Sequence, residues 1–199
     1  MINTIFPFSP VEVRTQGTAG VGLAVGADGL NAQLGMMVHV ETVVDGYLSH
    51  QVYMLVEADL AANNFDARGR LFKWGTRSTY RVVPCSANAD KIAGIAPYRD
   101  PLAPHLGTAG AAGISSLDDE DYFWICIEAS RVEVMHGDYF ATDPLEPTTK
   151  FYMVPDDDAD LGKIAGTATY TQGSTVGRYI SGTAADNAIM VVNLFASGV

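Results

Sequence analysis

The sequence predicts an all-β protein: a β-sandwich or barrel-like core, at most one or two short helices, an extended N-terminal arm and long loops. Three observations predict it. Glycine (20) and proline (9) are scattered through the 199 residues and leave little room for long amphipathic helices. Short runs rich in Val, Ile and aromatic residues recur instead. Turn-forming clusters separate those runs, the pattern of a sandwich or barrel.

The elements follow in chain order. Val11-Glu-Val13 alternates. Val38 to Val43 alternates as well, placing Val38, Val40 and Thr42 on one side of a pleat. Gln51 to Val56 is apolar on both sides and reads as a buried strand. Glu57 to Asn64 reads as the one helical piece, about two turns long. Thr79 to Val83, Tyr122 to Ile127, Arg131 to Met135, Phe151 to Val154 and Ile189 to Leu194 complete the strands. Residues 1–26 form an arm and a glycine-rich loop, and residues 27–199 a β-rich body.

The body contains two related units, around 91–135 and 163–195. Lys91-Ile-Ala-Gly-Ile-Ala-Pro-Tyr98 and Lys163-Ile-Ala-Gly-Thr-Ala-Thr-Tyr170 agree at six of eight positions. Each leads through a glycine-containing stretch and a polar acidic turn to an apolar strand, so a duplicated β-unit covering a shared core is expected. The glycine between two apolar pieces fits a bulge or a close backbone approach. Pro97 to Ser116 reads as a long exposed loop, stiff at its proline end and slack at its glycine end.

Charge narrows the function. Twelve Lys and Arg against 23 Asp and Glu give a net charge of −11, which argues against general binding of nucleic acid. Cys85 and Cys126 cannot build a disulfide framework or a four-thiolate metal site. No basic secretory leader or membrane-length apolar run is seen, so no membrane partner is expected.

The four histidines lack metal-ligand spacing, and neither a nucleophile elbow nor a phosphate loop occurs. No catalytic residue, metal ligand or cofactor site is assigned, and the chain is read as a non-enzyme. Asp156 to Asp160 starts like a calcium loop, but glycine follows one place late and the twelfth position is Thr167. It reads as a solvated acidic turn, as does Asp118 to Asp121.

Two stretches are candidate contacts. Ala67 to Ala89 holds Arg68, Arg70, Lys73, Arg77 and Arg81 and no acidic residue, with Phe72, Trp74 and Tyr80 interleaved. In so acidic a chain this predicts an interface to an acidic protein surface, its own neighbours included. The plainer alternative is a strand pair with a basic outer face. In the arm, Ile5, Phe6 and Phe8 are apolar while Pro7 and Pro10 favour an extended shape. Such an arm is expected to dock on its own body or on a neighbour's sheet edge. The contact candidates are therefore Ile5, Phe6, Phe8, Arg68, Arg70, Lys73, Trp74, Arg77 and Arg81.

Ile92-Ala-Gly-Ile-Ala96, the acidic turn Asp118 to Asp121, the aromatic strand Tyr122-Phe-Trp-Ile-Cys-Ile127 and Arg131-Val-Glu-Val134 together resemble a known pattern. So do the closing segments Val176-Gly-Arg-Tyr-Ile-Ser-Gly182 and Ile189 to Leu194. They are similar to the small decoration, or cement, proteins of tailed-bacteriophage heads. The resemblance covers Lys91 to Val199, and the Pro97 to Ser116 insertion departs from it. It implies a structural virion protein on the head exterior, assembled in the host cytoplasm. It also implies self-association as a homotrimer and the major capsid protein as partner. The alternatives are a tail-tube or baseplate protein, a carbohydrate-binding β-module using Trp74, Tyr98 or Trp124, and, from a different class, a hydrolase drawing on Ser115, Ser116 and His105 of the long loop.

Overall fold

The computed structural model describes residues 3–4, 23–25, 31–99, 113–135, 152–155, 161–167, 177–182 and 188–194. These residues are all-β. The strands are β1 (Asn3–Thr4), β2 (Leu23–Val25), β3 (Asn31–Gln33), β4 (Met37–Val44), β5 (Tyr47–Ala58), β6 (Leu71–Thr76) and β7 (Arg81–Pro84). They continue with β8 (Ile92–Ile95), β9 (Tyr122–Met135), β10 (Tyr152–Pro155), β11 (Ile164–Thr167), β12 (Gly177–Gly182) and β13 (Ile189–Leu194). One 3₁₀ turn, Arg77–Thr79, joins β6 to β7.

Strands β4 and β5 form a hairpin over eight register pairs, Met37↔Met54 to Val44↔Tyr47. The turn Asp45-Gly46 has φ of 52° and 78°, the doubly left-handed geometry whose twist matches the flanking strands. Alternation then sorts β4: Val38, Val40 and Val44 are buried, while Met37, His39 and Val43 are exposed.

The pairing closes on itself. Strand β5 runs parallel to β7, β7 pairs with β6, β6 with β8, β8 with β9, and β9 returns to β5. The chain thus builds a five-stranded barrel. One face of its strands supplies Met54, Val56 and Ala58, Phe72, Val82, Ala93, and Phe123, Ile125 and Ile127, which form a single apolar cluster. The opposite face of β5 and β9 carries Tyr53, Leu55, Tyr122, Trp124 and Cys126 into a second cluster. Val38 and Val40 of β4, Val132 and Val134 of β9, and Met190, Val192 and Leu194 of β13 join that outer layer, as do Leu71, Ile92, Ile95 and Ile164. From β9 the ladder continues through β13, β12 and β10 to β11. Its far end returns to the barrel, where Gly162 N–H donates to Cys85 O (2.7 Å) and Gly162 O accepts from Leu71 N–H (2.6 Å).

The glycine of the first repeated unit sits at a close approach. A Cβ on Gly94 would lie 2.6 Å from Cys126 O, and the ladder bulges where Gly94 opposes Phe72. The two units are wired differently: Ile92–Ile95 pairs with β6 and β9, whereas Ile164–Thr167 pairs with β10.

Four local expectations are corrected. Glu57 to Asn64 is no helix, because Glu57 and Ala58 finish β5. Backbone partners hold them there: Glu57 N–H donates to Tyr80 O, Ala58 N–H to Asp121 O and Asp59 N–H to Val82 O. The barrel seam outweighs the local helix preference of Ala-Asp-Leu-Ala-Ala. The Asp118 to Asp121 turn is half-buried, and its carboxylates accept from backbone. Asp119 Oδ1 takes Leu60 N–H at 2.9 Å and Asp118 Oδ1 takes Asn64 N–H at 2.8 Å, which pins the 59–64 bend. Tyr122 to Ile127 and Arg131 to Met135 are one continuous strand, bridged by cross-strand partners of Glu128 and Ala129 on β5. The strand expected from Thr79 begins at Arg81, since Tyr80 is left-handed with φ of 57°.

Candidate functional site

The basic run lies on β6, the 3₁₀ turn and β7, and most of its cations are already matched within the molecule. Arg68 bonds Asp66 with Nη2 2.7 Å from Oδ2, and that guanidinium holds the Asp66 carboxyl below the usual range. Lys73 Nζ lies 2.9 Å from both Asp90 oxygens. Arg70 Nη1 donates to Leu161 O (2.8 Å), and its guanidinium stands 5.8 Å from the centre of the Phe65 ring. Arg81 Nε is 2.9 Å from Glu57 Oε1, with Asp59 at 3.7 Å and Asp119 at 3.8 Å from Nη2. Only Arg77 of the five is exposed with no ion pair among the described residues.

The run lacks acidic residues because its partners stand at its margins, Asp66 and Asp90, and on β5. Trp74 is half-buried with its ring edge-on to Tyr80, 6.4 Å between centroids. Trp124 is packed in the outer core layer. The arm residues Ile5, Phe6 and Phe8 lie outside the described residues, as do Asp156 to Asp160. Next to the arm candidates, Asn3 and Thr4 add a short antiparallel strand to the outer edge of β4, opposite Glu41 and Val40. The ends of the Pro97 to Ser116 segment are tied by Gly113 N–H donating to Tyr98 O (2.8 Å).

A surface not singled out by the run of basic residues is the β4–β5 hairpin. Met37 (50% exposed), Val43 (53%), Tyr47 (59%) and Leu48 (57%) are four of the six large apolar residues left open among those described. Val43 directly opposes Leu48, and two register pairs inward Glu41 opposes His50, with Oε1 to Nδ1 3.1 Å. The signal was in the sequence: Val43-Val44 and Tyr47-Leu48 put apolar residues on both sides of an Asp-Gly turn. A hairpin covered on one face carries polar residues on the other. Ser181 Oγ donates to Asp45 Oδ2 (2.6 Å) and anchors the tip.

Among the described residues no three His, Cys, Asp or Glu side chains are grouped so as to hold a metal ion. Burial pushes both thiols up, Cys126 to about 12 and Cys85 further, so neither is a thiolate near neutrality.

Asp90 gives a pH dependence. Burial raises its carboxyl, but Ser86 and Ala87 N–H and the Lys73 ammonium together hold it below the usual range. A depressed carboxyl contributes stability that is complete above its unfolded value and lost as pH falls through its folded value. Asp90→Asn is therefore expected to cost about 1 kcal/mol near neutral pH. That cost should shrink steadily in thermal melts taken toward pH ~3.

No protein-family model matches the chain, and no curated protein matches it.

Proposed function

We propose that this protein is a structural virion component that binds the outside of a tailed-phage head and strengthens the capsid lattice as a cement protein. The observation that supports the reading best is the β4–β5 hairpin. It leaves Met37, Val43, Tyr47 and Leu48 open to solvent, while the other large apolar side chains among the described residues are mostly buried. The repeated motif, aromatic strand and closing strands carry the resemblance that points to phage heads. Many copies, each making a modest contact, gain avidity from a lattice, so no deep pocket is needed. An acidic exterior keeps a crowded shell soluble.

The basic run contributes rigidity more than contact in this reading, since Arg68, Lys73 and Arg81 are engaged by Asp66, Asp90 and Glu57. Self-association as a trimer belongs to the same proposal and is checked by light scattering on the purified protein. The deciding experiment is image reconstruction of heads assembled with and without the protein, paired with heat release of their DNA. Density on the outer lattice and a higher release temperature are expected. Density in the tail tube or baseplate would transfer the protein to that part of the virion, and absence from particles would end the reading.

A further inference from the structure

We infer that the β4–β5 hairpin docks a partner segment of defined chemistry: apolar side chains flanked by lysine or arginine, contributed by a capsid subunit. The inference rests on the cement reading and specifies the surface and the partner.

Register places Met37, His39, Glu41 and Val43 on one face of β4, opposite Met54, Val52, His50 and Leu48 of β5. Glu128 of β9 joins that face opposite Val52. This is the same face that fills the barrel further along, because Met54 and Val56 belong to the interior cluster and Val52 packs against it. Strand β5 is 12 residues long, and its parallel pairing with β7 involves only Glu57 and Ala58. Its first half therefore overshoots the barrel and carries an interior-type face into solvent. Nothing among the described residues covers Met37, Val43 or Leu48, which remain half or more exposed.

Charge selects the occupant. Among its described residues the face carries Glu41, with His50 3.1 Å away, Glu128 and His39 but no lysine or arginine, and Asp45 stands at its tip. Arg131 lies over the Tyr47 ring at 4.2 Å, and Tyr47 alternates to the other face from Leu48. Open apolar side chains at the tip, Val43 and Leu48, and at Met37, with the Glu41 carboxylate between them and Glu128 beside Val52, are matched by an apolar segment bearing cations, which would gain both burial and attraction. A second copy of this acidic surface would meet like charges across the contact.

The test uses the full-length protein and purified heads assembled without it, with bound protein measured by co-sedimentation. Val43→Ser with Leu48→Ser is expected to weaken binding by about tenfold or more. Melting temperature should stay unchanged, since both side chains are exposed. Glu128→Lys is expected to weaken binding at low salt and to flatten its salt dependence, because it removes one attraction. Heads that take up wild type and the double variant alike overturn this docking surface and leave the cement reading standing. Heads that take up no wild-type protein overturn the cement reading. A wild-type dimer in solution that the double variant abolishes would assign the face to a second copy and overturn the basic partner.

Discussion

Phe72→Ala is expected to lower the unfolding free energy by about 4 kcal/mol, within the range for a large aromatic removed from a core. Phe72 is fully buried on β6 and is the centre of the barrel's aromatic packing. Its ring meets Phe123 edge-on at 5.0 Å and Phe65 at 6.1 Å. The cost should fall at the high end because the site cannot collapse. Phe72 opposes Gly94 across one seam and Pro84 across the other. Gly94 offers no side chain to move in, and its backbone is already close against Cys126 O. The vacated volume therefore persists as a cavity. Phe72→Leu keeps most of the volume and should cost about 1.5 kcal/mol. Urea unfolding of both variants measures the difference. An alanine cost below about 1 kcal/mol would mean that Phe72 does not fill the barrel.

The strands were legible where one face is buried and the period of two survives. Val38, Val40 and Val44 against Met37, His39 and Val43 is such a case. So was the close approach at Gly94, because a glycine between apolar neighbours has few other uses in a strand. The Glu57 to Asn64 expectation failed for a non-local reason. What holds Glu57 and Ala58 in a strand are Tyr80 O and Asp121 O, more than 20 residues away in sequence. No local pattern announces such partners. The same holds for the site. The basic run is visible as composition, but its neutralisation by Asp66, Asp90 and Glu57 depends on folding. The hairpin face depends on how far β5 overshoots its barrel partners, which only the register reveals.

Arg81→Met is expected to cost about 2–3 kcal/mol at neutral pH, below the full range for breaking a buried ion pair because Arg81 keeps 30% of its side chain exposed. Its main partner, Glu57, is only 6% exposed and sits at the parallel seam, where Glu57↔Arg81 and Ala58↔Val82 are the sole β5–β7 register pairs. Burial pushes the Glu57 carboxyl up, Arg81 opposes that shift, and Glu120, Asp119 and Asp59 add to it. Without the guanidinium every remaining influence raises it further. A carboxyl raised in the folded state penalises folding when ionised, and the penalty disappears as pH falls through its folded value toward its unfolded one. The deficit of Arg81→Met relative to wild type should therefore be largest near pH ~7 and shrink in acid. Adding Glu57→Gln should recover most of the loss, since a neutral amide at that site needs no cation. The four proteins form a double-mutant cycle whose coupling isolates the pair from the weaker contacts to Asp59 and Asp119. Equal deficits at neutral and acid pH, with no recovery in the double variant, would mean that Arg81 holds the seam through packing of its aliphatic stem.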